Sequence, residues 1–300
     1  MITEIFYEID NFIKKFQKEW SKYLLQENTK TSSISCNMSL SEIMTIAVYF
    51  HYSNYRTFKH YYQDYVCKVL TKEFPKLLSY NRFIEVMKSC LIPFLFYLRN
   101  FRRGKCTGIS FVDSTKLVVC HNRRINQNKV FKDIAKRGKD SVGWYYGFKL
   151  HFIINEYGEI INFTLTQGNV DDRNKSVFND LTKGLFGNLF GDRGYVSQSL
   201  SEELLSKGVE LIAKLRKNIK AKVLTILDKI LLRKRSLIES VNDELKNVFQ
   251  IEHSRHRSLH NFLVNLLSGL VAYSFKPNKP SINFNQKDLA ILGNLPEIIL

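Results

Sequence analysis

Residues 107–115, TGISFVDST, constrain the fold of this chain more than any other stretch. Ile109, Phe111 and Asp113 alternate onto one face with the two-residue period of a β-strand, and the run ends by presenting a carboxylate. Everything before it carries a helical period, so a boundary between two kinds of structure falls near residue 105.

Ahead of that boundary, Phe6, Ile9, Phe12, Ile13, Phe16, Trp20, Tyr23 and Leu24 recur at three- and four-residue steps, the stripe of an amphipathic helix packed on a core. After a polar loop, Ser39 and Glu42 hold the spacing of a capping box, and Leu40, Ile43, Ile46, Ala47 and Phe50 give the next helix its apolar face. TFKHYYQDYVCKVL and YNRFIEVMKSCLIPFLFYLRN continue in helical style until Gly104. Residues 1–105 are therefore expected to form an all-helical domain. Its cations Arg56, Lys59, Lys68, Lys72, Arg82 and Lys88 suit docking on DNA phosphates, or equally an ordinary solvated helical face.

Beyond the boundary, KLVVC reads as a second short strand, and a basic loop follows over 121–139. WYYGFKLHFIIN and EIINFTLTQGN read as two strands joined by a hairpin through Asn155–Gly158. A short helix in VDDRNKSVFNDL comes next, then a strand in LFGNLFGDRGY that runs into the glycine-flanked Asp192. A helix closed by Gly208, a strand in VELIAKL and helical stretches over 221–250 and 257–273 complete the domain. This alternation of strands and helices describes a mixed α/β sheet with helices on its faces, spanning 106–275, with 276–300 as a tail.

Charge narrows the partners. Fourteen of the seventeen net positive charges fall between residues 51 and 150, which favours nucleic acid over a membrane. The five cysteines form no CxxC pair or compact framework, which argues against a disulfide scaffold or structural zinc and for reduced core thiols. The first ten residues carry Glu4, Glu8 and Asp10 where a secretory leader carries bases, and CLIPFLFYL is too short to span a bilayer. A cytoplasmic protein is expected.

Asp113 and Asp192 both stand at strand ends, and Glu239 lies on a late helix between Arg235 and Lys246, at steps of four and seven residues. Singly, each acid has an ordinary explanation as a cap, a turn residue or a surface charge. Jointly they suggest a metal site. His253, His256 and His260 also share a helical spacing, but lack the acid or thiolate partner that a zinc site needs.

In these features the chain resembles the DDE-type transposases of bacterial insertion sequences. Arg235, Glu239 and Lys246 match the family's signature of Tyr, two residues, Arg, three residues, Glu, six residues and Lys, and Leu232 stands in the tyrosine's place. FVDST, GFKLHFIINEYGEIINFTLTQGNVDDRN, GDRGY and LIAKLRKNIK most resemble the branch known as the nine-eighty-two family, over residues 40–275. The resemblance implies a ribonuclease H-like fold with Asp113, Asp192 and Glu239 as catalytic metal ligands. It implies Mg²⁺, with Mn²⁺ as a substitute, and Asp113 bridging two ions in phosphoryl transfer. The implied activity cuts the element's ends and joins the 3′-hydroxyl to target DNA; a nuclease of the same fold and a silent DNA-binding relic are the alternatives. Expected partners are double-stranded terminal repeats and target DNA, held by a homodimer at the nucleoid. Arg235, Lys246, Arg193, Lys136, Arg137, Lys139, Arg216 and Lys217, with Lys220, are the expected DNA contacts.

Overall fold

The apolar stripe at the start of the chain forms the helix Ile2–Gln26, burying Ile5, Ile9, Phe12 and Ile13. In the computed structural model, residues 1–26, 36–195, 197–213, 224–252, 256–284 and 288 are described. They pack as two units. The first holds Met1–Arg102, Asn128–Phe131 and Glu244–Lys276; the second holds Arg103–Gln127, Lys132–Asp243 and Pro277–Leu300.

The first unit is helical. Phe12 lies 4.8 Å from Tyr97 and 5.2 Å from Phe101, both on the helix Leu91–Phe101. The helix Leu40–Phe50 starts at the expected capping box: the Ser39 hydroxyl accepts from the Glu42 N–H, and the Glu42 carboxylate accepts from the Ser39 N–H. Over 58–69 the chain is helical with a π-turn at Tyr61–Val66. Tyr61 and Tyr62 are both buried there, and their hydroxyls donate to the carbonyls of Ile46 and Leu78 at 3.1 and 2.7 Å. Arg56, Lys59, Lys68, Lys72, Arg82 and Lys88 are all exposed; Lys68 pairs with Asp64 and Arg82 with Glu85.

The sequence reading ended the helical domain at residue 105, yet Glu244–Lys276 packs with this first unit. The reason lies in the helix Leu259–Phe275, which buries Phe262, Val264, Leu266, Leu267, Leu270, Val271 and Tyr273 around most of its circumference. A helix apolar on every side needs partners on every side; Leu40–Phe50 and Leu91–Phe101 supply them. At their junction His51 is 3% exposed, its Nδ1 donating to the Phe249 carbonyl and its Nε2 lying 2.9 Å from Ser268 Oγ.

The second unit is built on a six-stranded sheet. Its strands are β1 (Ile109–Cys120), β2 (Lys136–Lys139), β3 (Trp144–Asn155), β4 (Ile160–Gln167), β5 (Gly187–Gly191) and β6 (Val209–Ala213). Along the sheet the order is β2-β3-β1-β5-β6, with β4 sharing the β2 edge of β3. β1 pairs antiparallel with β3 and parallel with β5, and β5 pairs parallel with β6. Helices Lys175–Leu181 and Gln198–Ser206 bury Phe178, Leu181, Leu200 and Leu204 against Val112, Ile153 and Leu189. Three antiparallel strands continued by two parallel ones, with helices in the connections, is the ribonuclease H-like arrangement.

Two sequence expectations change. GISFVDST and KLVVC are one twelve-residue strand, because every residue from Ser110 to Val118 finds a partner on β3. The basic loop contains β2, whose Gly138 lets the chain pass against Gly168 and Tyr145; a Cβ there would fall 2.2 Å from the Gly168 carbonyl oxygen. The hairpin at Asn155–Gly158 is present, with Gly158 at φ +71° donating to the Asn155 carbonyl. The tail is also tied in: Lys234 Nζ reaches the Asn283 carbonyl at 2.8 Å and the buried Asp288 carboxylate at 2.8 Å. All five cysteines are unpaired, but only Cys90 is fully buried, so the other four are not core thiols. Among the described residues no helix is long and apolar enough to cross a membrane.

Burial pulls His51 down to about 4, against the weaker opposing pull of its bond to Phe249. The folded chain holds it neutral while the unfolded chain protonates it near 6.5, so its contribution is present above pH 6.5 and is lost as pH falls toward 4. Thermal unfolding followed from pH 7 to pH 5 should show a loss of about 2 kcal/mol that is absent from His51→Asn.

Candidate active site

The register of β1 and β5 assembles the site. These strands run in parallel with Phe111 opposite Phe190, the last pair in their ladder. Asp113 and Asp192 each lie two residues beyond that pair, so they share a side of the sheet on neighbouring strands, which stand roughly 5 Å apart. Asp192 follows Gly191, the last residue of β5, where a Cβ would press on the Val112 and Tyr195 side chains at 3.1 and 3.2 Å. The third acid arrives on the helix Ser236–Asp243, which packs on β1 and buries Leu237, Ile238 and Val241 while leaving Glu239 exposed.

Electrostatics tie the three together. Burial pushes the half-buried Asp113 carboxyl up to about 6, and the charges of Glu239 and Asp192 push the same way. The Ser114 N–H and the Arg235 guanidinium oppose the rise. Arg235 pairs with Glu239 at 2.8 Å, with only a fifth of its side chain exposed against more than half for the glutamate. Asp192 accepts the Arg193 N–H at 2.7 Å.

An open cavity of about 500 Å³ lies alongside, lined by Asp192, Arg193, Leu232, Arg233, Arg235 and Glu239 among others. Asp192, Arg193, Arg235 and Glu239, all singled out from sequence, thus line one cavity, and Leu232 lines it where the family's tyrosine would stand. Lys246 is not among them: it sits in the π-turn Glu244–Val248 of the first unit, paired with Glu252 at 3.0 Å. Lys136, Arg137 and Lys139 are exposed on β2. Arg216, Lys217 and Lys220 lie outside the described residues, as does His253.

A polar network behind Asp113 was not anticipated. Ser114 Oγ donates to Asp172 at 3.0 Å, and Lys149 Nζ donates to Asp172 at 3.0 Å and to the Val170 carbonyl at 2.8 Å. The neutral His151 beside them bonds Thr166 through Nε2, and burial draws it down to about 4. The buried Tyr195 hydroxyl lies near Ser114 but makes no bond of ordinary length and angle. The only sequence signal for this network was the acidic pair in GNVDDRN. Its position after β4, opposite β1, depends on strand pairing.

The family match agrees with this geometry. A family model described as the transposase DDE domain matches residues 103–259. No curated protein matches the sequence. Among solved structures, the chain is similar to a piggyBac transposase in a synaptic complex with hairpin DNA. That match has 11% identity and a TM-score of 0.41, covering 94% of this chain and 82% of that one. A second is a simian T-cell lymphotropic virus intasome in complex with PP2A regulatory subunit B56 gamma, with 13% identity and a TM-score of 0.33, covering 74% and 66%. Because the family model spans more than half of its length, the chain belongs to the transposase DDE domain family.

Proposed function

We propose that this protein is a DNA transposase of the nine-eighty-two insertion-sequence branch, with Asp113, Asp192 and Glu239 as its catalytic acids. The observation that carries the reading is the register of β1 and β5, which sets two acids side by side with a third on the helix packed over β1. In this reading a water hydroxyl cleaves the element end, and the freed 3′-hydroxyl then attacks a target phosphodiester at the same site. Two ends must be held for joining, so the working species is a homodimer on DNA, in the cytoplasm at the nucleoid.

The donors suit Mg²⁺ or Mn²⁺. Three carboxylates are hard oxygen ligands, and burial, more than the charges of Glu239 and Asp192, is what disfavours the charged form of Asp113 until a cation is bound. Among the described residues, no three His, Cys, Asp or Glu side chains stand close enough to enclose an ion as they lie. Glu239 is engaged by Arg235 through Oε1 and Asp192 by the Arg193 N–H through Oδ1, so each would hold a cation through its other oxygen or by releasing that partner. The chemistry such a cation supplies is activation of the attacking oxygen and stabilisation of the leaving oxygen at phosphorus.

The chain's own residues do the rest. Arg235 remains beside the acids to neutralise a non-bridging phosphate oxygen, and Arg193 holds the strand across the cavity mouth. Lys136, Arg137 and Lys139, exposed on β2, extend the phosphate track.

On labelled duplexes bearing the element's own inverted repeats, the parent should give cleaved and joined products with Mg²⁺. Asp113→Asn, Asp192→Asn and Glu239→Gln should each give neither while still binding the DNA. Cleavage without joining in the parent would instead identify a hydrolytic nuclease, and equal activity of Asp113→Asn would overturn the site.

Without metal, the raised Asp113 favours the protonated form, so its contribution is present below about pH 4 and is lost as pH rises through 6. In chelator at pH 7.5, Asp113→Asn should therefore be more stable than the parent, by about 2 kcal/mol after discounting for the solvent around a half-buried group. Added Mg²⁺ should raise the parent's midpoint and leave that of Asp113→Asn nearly unmoved.

A further inference from the structure

The β2–β3 hairpin carries a side chain that the acids and their cavity do not use. Trp144 is one of two tryptophans in the chain, and it opens β3 with 55% of its surface exposed. Indole is the largest aromatic ring system a side chain carries, and nothing about the strand requires it in water. Its surroundings are cationic. Lys139 stands directly across the ladder and Arg137 one step along the same face, with their charged groups 5.7 and 5.3 Å from the Trp144 ring centroid. The 3₁₀ turn Asn122–Gln127 is fastened beside it, Asn122 Nδ2 donating to the Trp144 carbonyl at 2.6 Å, and brings the exposed Arg123 and Arg124.

The mount is rigid. Asp140 accepts the N–H groups of Val142 and Gly143 at 3.0 and 2.9 Å and pairs with Lys116 at 2.7 Å, so the carboxylate within this turn is committed to the turn itself and to β1. Below the ring, Gly138 admits Tyr145, whose hydroxyl donates to the Gly168 carbonyl at 3.0 Å. The ring is thus held at the end of a pinned hairpin, with Arg137 and Lys139 against it, Arg123 and Arg124 on the turn fastened to its carbonyl, and more than half its surface open.

An exposed aromatic ring among cations is the construction that takes unpaired nucleotides: cations follow the phosphates and the ring stacks on a base, which a duplex keeps inside its own stack. We infer that Trp144 is a stacking platform for an unpaired base of a DNA strand held along the β2–β3 hairpin. This rests on the transposase reading for its ligand, DNA, and adds that the hairpin distinguishes an open strand from a closed duplex. Arg137 and Lys139 have two tasks in it: they grip phosphate, and they steady the ring that a base covers.

The test uses the full chain carrying Trp20→Phe, so that Trp144 is the sole indole. It is titrated with a twelve-nucleotide oligothymidylate, with a blunt duplex of equal phosphate number, and with that duplex bearing a four-nucleotide single-stranded tail. Oligothymidylate and the tailed duplex should quench the fluorescence, and the blunt duplex should leave it nearly unchanged. Trp144→Ala should weaken the tailed duplex about 10-fold and the blunt duplex less than about 2-fold, the loss expected from one base stack. Trp144→Phe should recover most of that affinity, and Lys139→Ala should weaken both duplexes and flatten their salt dependence. Equal losses on the two duplexes with Trp144→Ala, or no quenching by a tail that binds, would overturn the platform while leaving the transposase reading intact. Failure of the parent to bind any of the three DNAs would overturn both.

Discussion

The arrangement of the acids proposed for this chain depends on the parallel pairing of β1 with β5. That ladder is short, three residue pairs from Ile109 with Asn188 to Phe111 with Phe190, yet it fixes which side of the sheet Asp113 and Asp192 occupy. A slip of one residue would turn one acid to the opposite face. The pairing is locked at both ends. Phe111 stacks on Phe190 with ring centroids 5.5 Å apart. At the other end Gly187, at φ +80°, lets the chain pass Gly108 where a Cβ would fall 2.4 Å from the Gly108 carbonyl oxygen. Two glycines that no catalytic argument singles out therefore set the register on which the acids depend.

The rest of the second unit follows from that arrangement. The long antiparallel pairing of β1 with β3 makes the strand rigid, and the network through Asp172, Ser114 and Lys149 ties the following loop to it. Helix Ser236–Asp243 is held on β1 by Leu237, Ile238 and Val241, which fixes Glu239 on the remaining, open side. Rigid elements thus carry all three acids. What stays adjustable is the ion pair of Glu239 with Arg235, exposed on the glutamate's side and weak by the standard of such pairs.

Local features were legible because their causes are local. The Ser39 capping box, the hairpin at Asn155–Gly158, the helix ended by Gly208 and the strand running into Asp192 each depend on a few neighbouring residues and the hydrogen bonds they make. The grouping of Arg235 with Glu239 was legible for the same reason, since a step of four residues is close to one helical turn. Lys246 continues the spacing along the chain, in the π-turn Glu244–Val248 and paired with Glu252. The helix Leu259–Phe275 was recognised as a helix and assigned to the wrong neighbours, because periodicity reports how much of a helix is buried and not against what.

The sequence by itself determined the change from helix to strand near residue 105, the types of most elements, the three acids and the basic stretch beside them. Each is fixed by side-chain chemistry and short-range spacing. The tertiary structure alone decided that β1 lies between β3 and β5, that Asp172 reaches Ser114 from 58 residues away, and that Trp144 stands exposed between cations. Those facts rest on strand register and long-range burial, for which the free energy is shared among residues far apart in the chain and is written in no single segment of it.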